Sequence, residues 1–91
     1  MTVTDDVVNI ENAAARTLVT VKGRIVALRV EPRDAAPQLT ARIDDGTGRL
    51  DAVFMGRREI PGIEAGAMVT FHGRVSDAEA LPRIFNPQYT L

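Results

Sequence analysis

The sequence of 91 residues predicts an all-β protein of five strands closed into a small barrel. Three observations carry that expectation. Five segments alternate apolar and polar residues with period two, the mark of half-buried strands. Asp44-Asp45-Gly46-Thr47-Gly48 separates the second segment from the third, and Asp and Gly accept the positive φ that tight hairpin turns demand. Gly23 falls in the middle of a long first segment, where a bulge or sharp bend lets one strand pair at both its ends.

The elements follow in order. Residues 1–15 form an acidic N-terminal extension, with Asp5, Asp6 and Glu11 ahead of the first basic residue, Arg16. Val7, Ile10 and Ala14 stand near helical spacing and Thr4 suits a cap, so a short helix and a loose tail are both open. Residues 16–91 form the folded domain. Arg16 to Glu31 is one long β-branched strand, with Val19, Val21, Gly23 and Ile25 on one face. Glu31 to Pro37 is a loop. Gln38 to Asp44 is the second strand, with Leu39, Ala41 and Ile43 facing the core. After the turn, Leu50, Ala52 and Phe54 oppose Asp51, Val53 and Met55 in the third. Pro61 and Gly62 argue against a helix in the Gly56–Gly66 connector. Val69, Phe71, Gly73 and Val75 form the inner face of a fourth strand. A polar loop from Ser76 to Leu81 leads to a fifth, Arg83 to Leu91, where Pro87 calls for an edge or a bulge.

Composition narrows the function classes. There is no cysteine, which excludes disulfides and thiolate metal sites. No apolar run is long enough to span a bilayer, and Met1 to Asp6 lacks the basic and apolar parts of a secretory signal. A cytoplasmic protein with no membrane association is expected. The net charge is −1, yet from Arg16 onward 11 basic residues face nine acidic ones. Arginine supplies all but one of the cations, Lys22 being the exception. A GC-rich coding sequence accounts for that bias, as does selection of arginine for phosphate and base-stacking contacts.

Val19-x-Val21-x-Gly23-Arg24-Ile25, Asp45-Gly46-Thr47-Gly48-x-Leu50 and Gly66-x-x-Val69-x-Phe71-x-Gly73-Arg74-Val75 resemble the OB-fold pattern. That pattern is shared by anticodon-binding domains and by the wedge domain of bacterial branch-migration helicases. Gly56-Arg57-Arg58-x-Ile60-Pro61-Gly62-Ile63-x-x-Gly66 with Asn86-Pro87-x-Tyr89-x-Leu91 is similar to small stand-alone actinobacterial OB-fold nucleic-acid-binding proteins. The resemblance spans residues 16–91. It implies a five-stranded Greek-key OB barrel, preceded by the short N-terminal segment for which a helix is one of the two forms open. It also implies a ligand surface on the outer face of strands two and three and the loops that flank them.

On that surface the candidate nucleic-acid-binding residues are Lys22, Arg24, Arg29, Arg33, Thr40, Arg42, Val53, Met55, Arg74, Arg83 and Phe85. Arginines neutralise phosphates, and exposed apolar side chains support bases. Only four aromatics are present. Phe54 and Phe71 alternate inward. Phe85 is out of phase with Ile84, which suits either stacking or packing under the N-terminal segment. Tyr89 suits stacking or closure of one end. Asp51 in mid-groove disfavours phosphate. Arg57 and Arg58 read as a solvated connector, or as a clamp for a phosphate or a protein. His72 has no partners that would make a metal site, and Asp44-Asp45 reads as turn chemistry rather than a cation site. No nucleophile–base pair is present, so no catalysis and no cofactor are expected. The expected function is binding of single-stranded or branched nucleic acid. The alternative is a protein-interaction or oligomerising module, favoured by Val26, Val53 and Met55 on the outer face.

Overall fold

The computed structural model describes residues 6–77 and 80–91. Thr4 and Asp5 of the expected helix, and Ala78 and Glu79 of the expected loop, lie outside them. Six strands form one sheet: β1 (Leu18–Val30), β2 (Gln38–Asp44), β3 (Arg49–Met55), β4 (Met68–Ser76), β5 (Arg83–Phe85) and β6 (Gln88–Thr90). Their order is β1-β2-β3-β5-β4-β6, and an added β1–β4 pairing joins the first five into a ring. All pairings are antiparallel except β3–β5.

The expected five-stranded barrel is thereby corrected. The sheet has six strands, five in a ring and β6 outside it on β4. The cause lies at the end of the chain, where a single fifth strand was expected. Asn86 has φ of 49° and Pro87 follows it, which breaks the segment in two. The first half bridges β3 and β4, and the second half continues in the same direction along β4 with its register offset by one residue. The N-terminal expectation is corrected as well. Among the described residues its one helical feature is a 3-10 turn, Ile10–Asn12.

The strand β1 serves both sides of the ring. It pairs with β4 from Leu18 to Arg24 and with β2 from Arg24 to Val30. The bulge is not at Gly23 as expected; the register shifts between Ile25 and Ala27. Gly23 has a different task. A Cβ placed there would lie 2.9 Å from the Asp44 carbonyl oxygen, so the close approach of β1 and β2 at the hand-over needs a residue without one. Gly23→Ala gains about 0.4–1 kcal/mol by restricting the unfolded chain. It also loses roughly 1–3 kcal/mol to overpacking against backbone, which cannot swing aside. The clash wins, and a lower thermal midpoint is expected; an unchanged or raised midpoint would show that the strands part freely.

Inside the ring sit Val21, Ile25, Ile43, Leu50, Phe71 and Ile84, all sealed from solvent. Ile60 and Ile63 of the connector close one end. Ile10 closes against Gly48, where an added Cβ would come 3.2 Å from the isoleucine side chain. The Asp45 carboxylate holds that arrangement. One oxygen accepts from the amides of Thr47 and Gly48 and from the Thr47 hydroxyl, and the other accepts from the Ile10 amide at 2.8 Å. Partial burial alone pushes the Asp45 carboxyl up. The bonds from Thr47, Ile10 and Gly48 outweigh it and hold the group below the usual carboxylate range.

Candidate functional site

The hairpin turn sets the register of β2 on β3, and the register sets the site. Pairing Asp44 with Arg49 places Arg42 opposite Asp51, Thr40 opposite Val53 and Gln38 opposite Met55. β1 adds Ala27 beside Arg42 and Arg29 beside Thr40; β5 adds Arg83 beside Asp51 and Phe85 beside Val53. Two rows therefore cross the outer face of the sheet. One runs Ala27, Arg42, Asp51, Arg83, and the other runs Arg29, Thr40, Val53, Phe85. Alternate residues of a strand are about 6.6 Å apart, which is the spacing of the rows. With Leu28 and Gln38 these residues line a groove of about 590 Å³.

The charges in the groove differ in how free they are. Arg42 and Asp51 form a two-pronged ion pair, Nε to Oδ1 at 2.9 Å and Nη2 to Oδ2 at 3.2 Å. The Asp51 side chain is 11% exposed and that of Arg42 is 41% exposed. Hydrogen bonding to Asp51, and then its charge, holds the Arg42 guanidinium more firmly protonated than usual. Arg29 reaches Glu31 at 3.5 Å but stays largely in solvent. Arg83 lies with its guanidinium carbon 5.9 Å from the centre of the Phe85 ring. Phe85 is 47% exposed and Ile84 fully buried, as the phase of the strand implied.

Of the candidate residues read from the sequence, Arg29, Thr40, Arg42, Val53, Arg83 and Phe85 come together in this groove. Val53 is a correction: it was expected to be an exposed apolar contact, but docking of β5 leaves it 3% exposed, as the groove floor. Met55 is exposed at the end of β3 and Arg33 lies in the β1–β2 loop, both off the lining. Lys22, Arg24 and Arg74 stand on the β1–β4 ladder. There Arg24 donates to the Gly66 carbonyl and Arg74 to that of Arg16.

Two residues act in ways the sequence did not disclose. The Nη2 of Arg58 donates to the Pro32, Arg33 and Ala35 carbonyls, tying the loop at one end of the groove to the connector. Asn86 accepts from the Met55 amide through Oδ1 and donates its own amide to the Val53 carbonyl, which fixes β5 against β3. Tyr89 sits edge-on to Phe54 with centroids 5.9 Å apart, and His72 Nδ1 meets the Thr20 hydroxyl at 2.7 Å. Among the described residues no group of three or more His, Cys, Asp or Glu is placed to hold a metal.

A ring-closed sheet with a cationic, one-aromatic groove across β2, β3 and β5 defines a binding module. The chain belongs to the family described as OB-fold nucleic acid binding domain, whose pattern matches residues 19–91. The domains of that family bind rather than catalyse. No curated protein matches the sequence. Among solved structures, RecG bound to a three-way DNA junction is similar, with a TM-score of 0.77 at 19% identity. The match covers 94% of this chain and 12% of the RecG chain. Aspartyl tRNA synthetase from Entamoeba histolytica gives 0.67 at 17%, covering 92% of this chain and 20% of that one. A lipoprotein of Klebsiella pneumoniae, provisionally named nucleic acid-binding, gives 0.64 at 20%, covering 85% and 72%. At these identities the likeness is one of fold. This chain spans a small part of RecG and of the synthetase. No helix among the described residues is long and apolar enough to cross a membrane.

Proposed function

We propose that the groove across β2, β3 and β5 binds single-stranded or branched nucleic acid, without catalysing its change. The observation that carries this reading is the convergence of Arg29, Thr40, Arg42, Arg83 and Phe85, from three strands, on one concave face. Arg83 and Arg29 are the cations for phosphates. Phe85 is the stacking platform, and stacking on one aromatic contributes about 1–3 kcal/mol per base. The similarity to RecG solved on a three-way DNA junction supports DNA with a fork, and the wedge-like resemblance of the sequence agrees with it.

Anisotropy titrations with single-stranded DNA, single-stranded RNA and a forked duplex test the proposal. Each phosphate contact on a single strand contributes about 0.7 to the log–log salt slope, so two free arginines give a slope near −1.4. Phe85→Ala is expected to weaken binding by roughly tenfold or more. Arg83→Ala should flatten the slope by about 0.7. Arg24→Ala, outside the groove, should leave affinity unchanged. No binding of any of these at about 50 mM salt, where phosphate contacts are strong, would sink the reading.

A second reading rests on another surface. Val26 and Val30 are exposed where β1 runs on past its β4 partner. Such an apolar edge suits contact with another protein or a second copy. Sedimentation showing self-association that Val30→Lys abolishes would favour it.

A further inference from the structure

We propose that Arg42 reads a base edge rather than a phosphate, selecting a base with two adjacent hydrogen-bond acceptors. The inference rests on the groove being a nucleic-acid site and assigns one residue of it. Three observations support it. First, the Asp51 carboxylate grips Arg42 through Nε and Nη2 in parallel. That grip fixes the plane and the direction of the guanidinium. Among the described residues Nη1 has no partner, so the outer end of the fork is left to donate. A planar pair of parallel donors matches two neighbouring acceptors and nothing less regular.

Second, the pair carries no net charge. Asp51 lies in the groove floor directly across the strand from Arg42, so a phosphate seated on Arg42 would also meet a carboxylate. Coulomb repulsion between two anions at such a distance cancels most of what the guanidinium offers. A neutral base edge suffers no such opposition. The groove's cations for phosphate are instead Arg29 and Arg83, the latter in the same row on the far side of Asp51.

Third, the neighbours leave room for a base. Ala27, the residue beside Arg42 on β1, is small, and Phe85 presents its ring one row along and two strands across, about 12 Å from Arg42 at the backbone. One base stacked on Phe85 therefore leaves the next to turn its edge toward Arg42. Single strands expose both the Watson–Crick and Hoogsteen edges to such contacts. Two acceptors stand side by side on guanine, at O6 and N7, and on cytosine, at O2 and N3. Adenine and thymine offer no such pair of adjacent acceptors.

The test uses the full chain and four labelled 12-nucleotide probes: oligo-dT, and oligo-dT with one central dG, dC or dA. The wild type is expected to bind the dG or dC probe about tenfold tighter than oligo-dT and the dA probe no tighter. Tightening with dG alone identifies the Hoogsteen edge, and with dC alone the Watson–Crick edge. Arg42→Lys keeps the charge and loses the fork. It is expected to bind all four probes alike, with the wild-type salt slope and melting temperature. Arg42→Gln, which removes the charge as well as the fork, should also lose the preference. Uniform binding by the wild type, or loss of a slope increment rather than of preference in Arg42→Lys, overturns the inference while the groove reading stands. Failure of the wild type to bind any probe overturns both.

Discussion

Replacing Ile10 by alanine is expected to destabilise the domain by about 2–5 kcal/mol, the usual range for emptying a buried isoleucine site. Ile10 is 3% exposed and belongs to the core, although it comes from the acidic stretch before the first strand. It packs against Gly48, which has no side chain of its own to move into the void. A domain of this size holds on the order of 5–10 kcal/mol in total. Each kcal/mol moves the midpoint by roughly 4–8 °C in a chain of 60–100 residues, so a fall of at least 10 °C is expected. Circular dichroism melts of wild type and Ile10→Ala check it. A shift of under about 2 °C, well below one kcal/mol, would mean that the N-terminal segment is not part of the folded unit.

Asp45→Ala is the second large effect, and it acts on the same joint. The substitution removes the acceptor of four hydrogen bonds, one of them from the amide of Ile10. Leaving partly buried amides without a partner costs about 1–3 kcal/mol. Because each change frees the same segment, the double variant should fall short of the sum of the singles, as residues in one network do. Acid should mimic the substitution. The folded-state pKa of Asp45 lies below its unfolded value, so its contribution is complete above pH ~4 and fades as pH falls through the lowered value. Asp44 shifts the same way, chiefly through the Gly46 amide and then Arg49. Melting from pH 7 to pH 2 should therefore show a loss of stability that is smaller in Asp45→Ala than in wild type. Equal acid sensitivity of the two would remove Asp45 from the account.

Much of this molecule was readable before any coordinate. Gln38–Asp44 is bounded by a proline loop and an Asp-Gly turn, so alternation fixed both its ends and its inward face. The same turn carried more than was taken from it. Once Asp44 opposes Arg49, counting back puts Arg42 against Asp51, and the aspartate that looked hostile to a ligand becomes the holder of an arginine. What stayed hidden depends on contacts between distant segments. Alternation turns Val53 outward, but nothing local says that residues 83–85 will lie parallel to it and cover it. Gly23 reads as a bulge or sharp bend, and only the neighbouring carbonyl of Asp44 shows that it makes room for a close approach instead. The break at Asn86 needs a non-glycine residue with positive φ, which its own amide bonds to β3 make worthwhile. Arg58 looked solvated because the carbonyls it collects lie more than twenty residues away.

The ring has a consequence for the growing chain. β1 enters early, yet half of its pairing belongs to β4, and Leu18 meets Arg74. Closing a span of that length costs entropy before any contact repays it, which places refolding in the millisecond-to-second range typical of sheets built from distant pairings. During synthesis the β1–β2–β3 meander can assemble as it emerges, whereas the Leu18–Arg24 edge stays unpaired until β4 has emerged. Ribosome-bound chains halted before residue 68 should therefore carry an open edge, and chaperone protection of this domain falls due at that stage of translation.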